Sequence, residues 1–556
     1  MGSISSSGMG WCLTFEAVAC CHYASLGWNF ADIADQYCRR SGACAGLFSR
    51  HRQTVVAKRQ DGESASAWTG YMNMSAGPPR NPQHHIIMLY PKIIQGGMGV
   101  GVSGWQLASA VSSLGHLGVV SGTAIEIVVA RRLQLGDPNG DMRRAFKSFP
   151  IPEIAERVLT QYFIEGGKPA DHPFKPVALF STQPTRSLAE LTVVASFAEV
   201  FLAKEGHDGV VGINLLEKIQ LPTLHAIFGA MLAQVDYILM GAGIPRAIPG
   251  ILDELAKGKS VKMKLDVEGA DAGKEFFCTL DPEAFCGRPM VLKRSRFLAI
   301  ISSATLAIAL ARKSTGHVDG FVVEGASAGG HNAPPRGPMQ LSEKGEPIYS
   351  ERDLPDLAKI KALGLPFWLA GSYGQPGKLA EALSLGATGI QVGTPFAFCD
   401  ESGIDPGWKQ RVIAKCRAAE IEVFTDPVAS PTGFPFKIVQ MDGTVSEPAI
   451  QEGRVRACDL GYLRHTYKKE DGRPGYRCPG EAVDSYVRKG GDAADTVGRK
   501  CVCNGLLATI GLGQIRPGGQ DEKPLITAGD DLAQIVDFLP AGRDTYSAGD
   551  VINRLL

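Results

Sequence analysis

Short apolar runs alternate with helix-like segments from Tyr90 to about residue 440. Strands that are buried on both faces read as continuous apolar runs, and the helices between them cover a parallel sheet. The alternation therefore predicts an α/β protein, and it restricts the fold more than any other feature of the chain. The clearest helix-like segments are Ser187–Ala203, Leu224–Ala233, Ala304–Lys313 and Lys378–Leu385.

Ten apolar runs are candidate strands, whereas a closed (β/α)8 barrel needs eight. We expect Val177–Phe180 and part of Val261–Ile301 to belong to extensions. Phe321–Glu324 is then the sixth barrel strand, and the last two candidates are the seventh and eighth. The ten candidates are Lys92–Gln95, Leu117–Ser121, Val177–Phe180, Val210–Asn214, Tyr237–Met240, Val261–Leu265, Phe297–Ile301, Phe321–Glu324, Pro366–Ala370 and Gly389–Val392.

The 556 residues divide into three predicted regions. Residues 1–89 show no sustained periodicity, so we expect a disordered or weakly structured leader. Residues 90–440 carry the barrel. Residues 441–556 lose the regular alternation, and we expect them to pack on the barrel as an extension. The predicted fold class is α/β: a TIM barrel with a long irregular C-terminal extension and a poorly ordered N-terminal leader.

The balance of charge argues against nucleic acid as a partner, because 57 basic and 57 acidic side chains cancel. No run of about 18 apolar residues is present, so no membrane span is expected. Thirteen unevenly placed cysteines indicate reduced thiols and a cytoplasmic protein. Met1–Ser6 also fits the N-myristoylation pattern at Gly2, and acylation or organelle targeting by the leader stays open.

Four cysteines of the C-terminal region, Cys458, Cys478, Cys501 and Cys503, are candidate metal ligands. Zinc accepts four thiolates, but the spacing lacks the usual C-x-x-C pairs. We therefore predict free or buried thiols and no metal.

A glycine-rich segment, GGMGVGVSGW, follows the first candidate strand at Gly96–Trp105. Its G-x-G-x-x-G spacing at Gly99–Gly104 matches the dinucleotide-binding fingerprint, which also needs an acidic residue at the end of the second strand. Ser121–Thr123 ends that strand instead, which disfavours a dinucleotide-binding fold. A loop that closes over a flavin and a tight turn with no ligand both remain.

His331 ends the segment GFVVEGASAGGH, in which a candidate buried strand is followed by small residues and by Gly329 and Gly330. The carboxyl ends of strands carry the chemistry of α/β barrels, and glycines let the backbone approach a ligand. His331 is therefore the candidate acid, base or hydrogen-bond donor, with a structural histidine as the alternative. The Pro/Gly-rich residues 332–352 that follow are a candidate lid.

The seventh and eighth candidate strands each end in a glycine followed by a hydroxyl residue, at Gly371-Ser372 and Gly393-Thr394. Backbone N–H groups at such turns bind phosphate, and barrels often use the loops after strands seven and eight for this purpose. We predict a phosphate site there, and plain turns are the alternative.

Five segments, in this order, resemble the nitronate monooxygenase family, formerly the 2-nitropropane dioxygenases: PKIIQGGMG, LGVVSG, VEGASAGGH, PFWLAGSYG and IQVGTPF. That family also includes flavin-dependent enoyl-acyl-carrier-protein reductases. The resemblance covers roughly residues 90–440 and implies a TIM barrel that holds FMN. It departs at Ser327, where the family often carries a glutamate, and residues 1–89 and 441–556 have no counterpart.

The resemblance implies a catalytic role for His331 and no metal. The cofactor-binding positions that it implies are Gly97, Met98, Ser121, Gly122, Thr123, Asn214, Gly329, Gly330, Gly371, Ser372, Gly393 and Thr394.

The implied activity is the FMN-dependent oxidation of alkyl nitronates, with a small-molecule substrate and molecular oxygen as partners. Two alternatives stay open: an FMN-dependent NAD(P)H enoyl reductase on the same barrel, and a non-catalytic flavoprotein subunit or scaffold. A homo-oligomer is compatible with all three.

Overall fold

Eight parallel strands form one sheet in the computed structural model, which describes residues 90–556. The predictions about the leader and its acylation concern residues 1–89 and lie outside this range. In chain order the strands are β1 (Ile93–Gln95), β2 (Gly118–Ser121), β3 (Val211–Leu216), β4 (Tyr237–Gly241), β5 (Val261–Leu265), β6 (Phe276–Leu280), β7 (Arg296–Ile301), β8 (Gly320–Glu324), β9 (Phe367–Ala370), β10 (Gly389–Val392), β11 (Val423–Asp426), β12 (Phe436–Val439), β13 (His465–Lys468), β14 (Pro474–Arg477), β15 (Ile515–Arg516) and β16 (Gln520–Asp521).

The sheet closes on itself. Its strands are hydrogen-bonded in the order β1-β10-β9-β8-β7-β4-β3-β2, and every neighbouring pair is parallel. The two end strands also meet, because the Gln95 N–H donates to the Leu117 carbonyl at 2.9 Å and the Leu117 N–H donates to the Ile93 carbonyl at 3.1 Å. A parallel sheet of eight strands with no free edge is a TIM barrel, and the predicted fold class is confirmed.

Helices connect the strands and cover the outside of the barrel. In chain order they are α1 (Trp105–Ser113), α2 (Ile125–Gln134), α3 (Asp141–Lys147), α4 (Pro152–Tyr162), α5 (Arg186–Lys204), α6 (Gln220–Leu232), α7 (Ile248–Ala256), α8 (Pro282–Cys286), α9 (Ala304–Lys313), α10 (Leu357–Lys361), α11 (Lys378–Ser384), α12 (Thr394–Ala397), α13 (Pro406–Arg417), α14 (Pro448–Gly453), α15 (Val483–Arg488), α16 (Val502–Thr509) and α17 (Ala548–Leu555). None of the helices in residues 90–556 is long and apolar enough to cross a membrane.

The barrel strands bury both of their faces. Side chains such as Ile94, Leu239 and Trp368 fill the interior of the barrel, whereas their strand neighbours Ile93 and Phe367 pack under the helices. Burial on both faces is the physical reason that these strands read as continuous apolar runs.

The candidate strands divide between barrel and extension as the sequence predicted. Val177–Phe180 is irregular, and its Val177 and Phe180 side chains are buried as packing groups of a loop. Val261–Leu265 pairs with β6 in an antiparallel hairpin outside the barrel. The remaining eight candidates are the barrel strands, so that β8, β9 and β10 are the sixth, seventh and eighth.

Residues 441–556 are built from short helices and from strands of two or four residues, and they contact the barrel at several points. The Tyr462 hydroxyl donates to the Glu126 carboxyl on α2. The Arg131 guanidinium, also on α2, donates to the Leu512 carbonyl. The Val439 N–H donates to the Ile526 carbonyl at 2.9 Å, which carries the chain back over the barrel's carboxyl end. The domain boundary at residue 440 stays a prediction.

Candidate active site

A cavity of about 230 Å³ lies at the carboxyl ends of the barrel strands. Residues at the ends of all eight barrel strands, or in the loops that follow them, line it. Eleven of the predicted site residues are in its wall: Gly97, Met98, Thr123, Asn214, Gly329, Gly330, His331, Gly371, Ser372, Gly393 and Thr394. The structure thus brings together residues that are almost 300 positions apart in the chain.

Ser121 and Gly122 lie outside the lining of the cavity. The Ser121 N–H donates to the Ser103 carbonyl at 2.8 Å, and the Gly122 N–H donates to the Asn214 carbonyl at 2.8 Å. These two residues therefore join the end of β2 to the loop after β1 and to β3. Their predicted contact with a cofactor is not seen in the arrangement of the cavity wall.

His331 is held in one orientation at the cavity wall. Its Nε2 lies 2.6 Å from the Ser430 Oγ, and its ring packs edge-on against Phe436 with ring centroids 4.7 Å apart. Burial lowers the pKa of His331 from 6.5 to about 4. The imidazole is therefore neutral at physiological pH, and its Nδ1 has no hydrogen-bond partner among residues 90–556.

Ser430 is itself fixed by its neighbours. Its hydroxyl lies 2.8 Å from the Thr432 Oγ1, and it accepts a hydrogen bond from the Thr432 N–H at 3.2 Å. The Arg499 guanidinium of the extension donates to the Ser430 carbonyl at 2.6 Å. This second layer of contacts sets the direction from which Ser430 meets the imidazole.

Glu324, the last residue of β8, also lines the cavity. Burial raises the pKa of its carboxyl group from 4.5 to about 7. A carboxyl group that titrates near neutral pH is able both to donate and to accept a proton under physiological conditions. Glu324 is thus a candidate proton donor or acceptor at the cavity wall.

Gly97 and Asn214 join the first and third barrel strands across the cavity floor. The Asn214 side-chain amide donates to the Gly97 carbonyl at 3.1 Å. A Cβ on Gly97 would lie 2.3 Å from the Asn214 Cβ and 2.9 Å from Val119, so only glycine fits there. The Gly96–Gly104 loop follows the first strand of a closed barrel, and an open dinucleotide-binding sheet is absent from residues 90–556.

The cavity wall carries polar atoms that no residue of the described chain satisfies. They are the Asn214 Oδ1, Ser372 Oγ, Gln391 Oε1 and Asp531 Oδ1. Buried polar atoms without a partner are costly unless a ligand completes them. Between them lie apolar groups such as Met98, Ile300 and Phe436. A flat, mainly apolar ring with hydrogen-bonding edges fits such a wall, and the isoalloxazine of FMN has this character.

The ends of the seventh and eighth barrel strands already face an anionic group. Asp531 of the extension lies there beside Gly374 and Thr394, and burial raises its pKa. Thr394 in turn accepts a hydrogen bond from the Gly529 N–H at 2.9 Å. The phosphate site at these turns stays a prediction.

The covering of the cavity differs from the prediction. None of residues 332–352, the candidate lid, lines the cavity. Residues of the extension cover it instead, namely Leu506, Thr509, Leu525, Thr527, Ala528 and Asp531. The sequence offered no signal for this, because segments of α16 and of the loop that follows it meet the barrel through tertiary contacts alone.

Glu324 and Ser430 were not among the site residues predicted from the sequence. Glu324 carried a readable signal, since a lone carboxylate ends an otherwise apolar buried strand at the functional end of a barrel. Ser430 carried none: it lies 99 positions from His331, and many serines precede it.

A family model described as nitronate monooxygenase matches residues 287–429 of the chain. A probable nitronate monooxygenase of Bacillus subtilis is 35% identical over 122 residues, which are 22% of this chain and 33% of that protein. A nitronate monooxygenase of Paraburkholderia phytofirmans is 29% identical over 187 residues, 32% of this chain and 47% of that protein. The matched stretches thus span a third to about half of the length of these relatives.

Two solved structures are similar in outline. FabK from Thermotoga maritima has a TM-score of 0.41 and 15% identity over 84% of this chain and 92% of that chain. A nitroalkane oxidase from Streptomyces ansochromogenes has a TM-score of 0.31 and 17% identity over 63% of this chain and 77% of that chain. The family match covers the segment that carries β7 to β10 and His331. The chain therefore resembles the nitronate monooxygenase family, and residues 287–429 carry that family's sequence pattern.

Proposed function

We propose that this chain is an FMN-dependent oxidoreductase that oxidises alkyl nitronates with molecular oxygen. The observation that carries the proposal is His331, a neutral imidazole with an unpartnered Nδ1 at the wall of a cavity with unsatisfied polar atoms. The resemblance to nitronate monooxygenases supports the substrate class. The free thiols of residues 90–556 support the predicted cytoplasmic location.

FMN, when bound, would accept the electrons of the substrate and pass them to oxygen. Asn214 and Gln391 would hold the edges of its ring, and the turns at Gly371-Ser372 and Gly393-Thr394 would hold its phosphate. Gly97, which tolerates no side chain, leaves the backbone of the first loop open to the ring.

His331 would orient the nitronate. In the tautomer in which the Ser430 hydroxyl donates to Nε2, the Nδ1 atom carries the proton and donates it in a hydrogen bond to a nitronate oxygen. Because the imidazole is neutral at pH 7, it binds the nitronate by this hydrogen bond and does not rely on an ion pair. Glu324 would take up or return a proton at the cavity wall, since its pKa lies near 7.

The reductase alternative lacks a supporting observation. A nicotinamide nucleotide carries phosphate groups that lysine and arginine usually bind. The cavity wall of the described residues contains neither of these side chains, whereas it contains Glu324 and Asp531. No side chain of the wall is therefore a candidate for binding the phosphates of a nicotinamide nucleotide, and the single FMN phosphate is assigned to backbone N–H groups.

Anaerobic stopped-flow measurement of flavin reduction tests the proposal. The purified chain is loaded with FMN and mixed separately with propyl-2-nitronate, NADH and NADPH, while the absorbance of the oxidised flavin is followed. We expect rapid bleaching by the nitronate and slow or no bleaching by the nicotinamide nucleotides. His331→Ala is expected to slow the bleaching by nitronate at least a hundredfold.

Bleaching by NADPH alone would assign the chain to the reductases. Flavin that neither reagent bleaches would support the scaffold alternative. A chain that stays colourless after reconstitution with FMN overturns all three.

A further inference from the structure

Four cysteines of the extension converge on a second, very small cavity. Cys458, Cys478, Cys501 and Cys503 line a space of about 10 Å³, which is room for roughly one water molecule. They come from three separate segments, which are the loop after α14, the end of β14 and the start of α16. Folding therefore assembles this thiol cluster; the sequence spacing does not suggest it.

The surroundings of Cys458 favour its thiolate, whereas the pKa values of Cys478, Cys501 and Cys503 are raised, mainly by burial and by neighbouring thiols. Gly461 and Gly480 border the same small cavity, and the Asn504 side-chain amide donates to the Cys501 sulfur at 3.4 Å. The guanidinium of Arg464 lies beside Cys458. Hydrogen-bond donors and cationic side chains stabilise the deprotonated form of a thiol.

Cys458 and Cys478 differ from each other in charge and in access. Cys478 lies beside Cys458 at the same small cavity, and this contact lowers the pKa of Cys458 from 9.0 to about 7. The same contact, together with burial, raises the pKa of Cys478 well above 9.0. Cys458 is partly accessible to solvent, whereas Cys478 is buried. An accessible thiolate beside a buried thiol is the usual arrangement of an attacking and a resolving cysteine.

The other four cysteines of residues 90–556 lack these features. Cys278, Cys286, Cys399 and Cys416 are all buried. Burial raises the pKa of Cys278 to about 12 and those of Cys286 and Cys416 to about 11. These four thiols are inert packing groups, and they provide internal controls.

The arrangement of the thiol cluster does not favour metal binding. Over residues 90–556, no group of three or more histidine, cysteine, aspartate or glutamate side chains has the arrangement to hold a metal ion. Two neighbouring thiols are instead placed so that an oxidant can join them as a disulfide.

We propose that Cys458 and Cys478 form a redox-active dithiol that a hydroperoxide converts to a disulfide. The Cys458 thiolate attacks the terminal oxygen of the peroxide, the O–O bond breaks, and the Cys458 sulfenic acid forms while the leaving oxygen takes up a proton as water or alcohol. The Cys478 sulfur then displaces the sulfenic oxygen as water, with the Cys478 proton, and the disulfide forms. In sum, two thiols and one H₂O₂ yield one disulfide and two molecules of water.

The Cys458–Cys478 disulfide would form close to a contact between the extension and the barrel. Residues just after Cys458 line the thiol cluster at Leu460 and Gly461, and Tyr462 bonds to Glu126 on α2. Oxidation of the dithiol therefore alters the segment that joins the extension to the barrel.

Peroxide titration of the full chain with thiol mapping tests the proposal. The reduced protein receives one equivalent of H₂O₂ under argon, the remaining thiols are alkylated, and peptides are mapped by mass spectrometry. We expect a cross-linked peptide pair containing Cys458 and Cys478 and the loss of two thiols. In the Cys478→Ser variant we expect a sulfenic acid at Cys458 that dimedone traps. The Cys286→Ser control is expected to form the same cross-link as the unaltered chain.

A measurement on the unaltered chain makes the test independent of how the variants fold. Iodoacetamide alkylation of Cys458, followed from pH 5 to pH 10, is expected to show a midpoint near pH 7. At pH 7 it is expected to be about five- to tenfold faster than alkylation of an ordinary cysteine. The proposal is overturned if Cys458 reacts no faster than Cys286 or Cys416, or if peroxide cross-links other cysteines. It is also overturned if the purified protein contains stoichiometric zinc or iron whose removal exposes all four thiols.

Discussion

Burial acts on Glu324 and His331 in the same physical way and leaves both without charge near pH 6. It raises the pKa of Glu324 to about 7 and lowers that of His331 to about 4, because each group loses the water that stabilises its ionised form. Between these two values the carboxyl group is mainly protonated and the imidazole is neutral. Glu324 and His331 then add no charge to the cavity wall, which suits the neutral aromatic ring of a flavin.

Glu324→Gln should stabilise the protein at high pH. A carboxyl group whose pKa is higher in the folded state binds its proton more tightly there, so its contribution is full below pH 4.5 and is lost as the pH rises through about 7. The glutamine cannot ionise, so the variant should gain about 2 to 3 kcal/mol over the unaltered chain at pH 8 and almost nothing at pH 4. Urea unfolding at the two pH values measures the difference, and an equal effect at both would contradict the buried, raised carboxyl.

Ser430→Ala should slow the reaction without weakening cofactor binding. The imidazole of His331 loses its partner at Nε2 and with it the preferred tautomer and orientation. We expect reduction of the flavin by nitronate to fall about ten- to a hundredfold, with an unchanged Kd for FMN. Ser112→Ala provides the control, since it removes another buried hydroxyl, which bonds to the Val210 carbonyl away from the cavity. Comparable losses in the two variants would show that Ser430 acts only through stability.

At the scale of elements, the loop after β1 and the end of β3 fit together through one glycine. Gly97→Ala places a Cβ 2.3 Å from the Asn214 Cβ, and the two elements have to separate. We expect a loss of about 1 to 3 kcal/mol in stability and a Kd for FMN at least tenfold higher by fluorescence quenching. Gly453→Ala, at the end of α14, has open space around its Cβ and should change neither quantity.

Asp531 of the extension lies beside the turn after β9 and the start of α12 in the cavity wall. An ionised carboxylate there repels a phosphate group, so FMN affinity should fall as the pH rises through the raised pKa of Asp531. Asp531→Asn removes this charge and should tighten FMN binding about three- to tenfold at pH 8. Asp537→Asn removes the same charge at an exposed position and should leave the affinity unaltered. Weaker binding by Asp531→Asn would mean that the carboxylate supports the cofactor.

At the scale of the whole molecule, the extension is joined to the barrel through buried polar contacts as well as apolar ones. Tyr462 donates to Glu126, a fully buried carboxyl group whose pKa burial raises to about 8. Tyr462→Phe leaves that carboxyl without its donor and should cost about 1 to 3 kcal/mol. Tyr349→Phe removes an exposed hydrogen bond to the Ala333 carbonyl and should cost far less. Similar losses for the two variants in urea unfolding would argue against a structural role for the Glu126 contact.

The barrel could be predicted from the sequence, and much of the cavity with it. The strands of a parallel barrel are local apolar runs, so β8, β9 and β10 could each be predicted from the sequence. Their order in the barrel predicted that His331 lies near Gly371 and Gly393. The residues that cover the cavity could not be predicted from the sequence. Leu506 and Asp531 reach it by packing over long sequence distances, and no periodicity records such contacts. The candidate lid at 332–352 was wrong for the same reason: a long loop beside a site need not face it.

The extension's position over the cavity has a consequence for how the protein matures. The last barrel strand, β10, leaves the ribosome more than a hundred residues before Leu506 does, which at ordinary translation rates is a delay of about 5 to 25 s. During that interval the eight strands are available to pair, but the cavity has neither its apolar cover nor Asp531. A cofactor bound then would face solvent on one side. Stable retention of the cofactor should therefore begin only once residues 506–531 have been made, late in the synthesis of the chain.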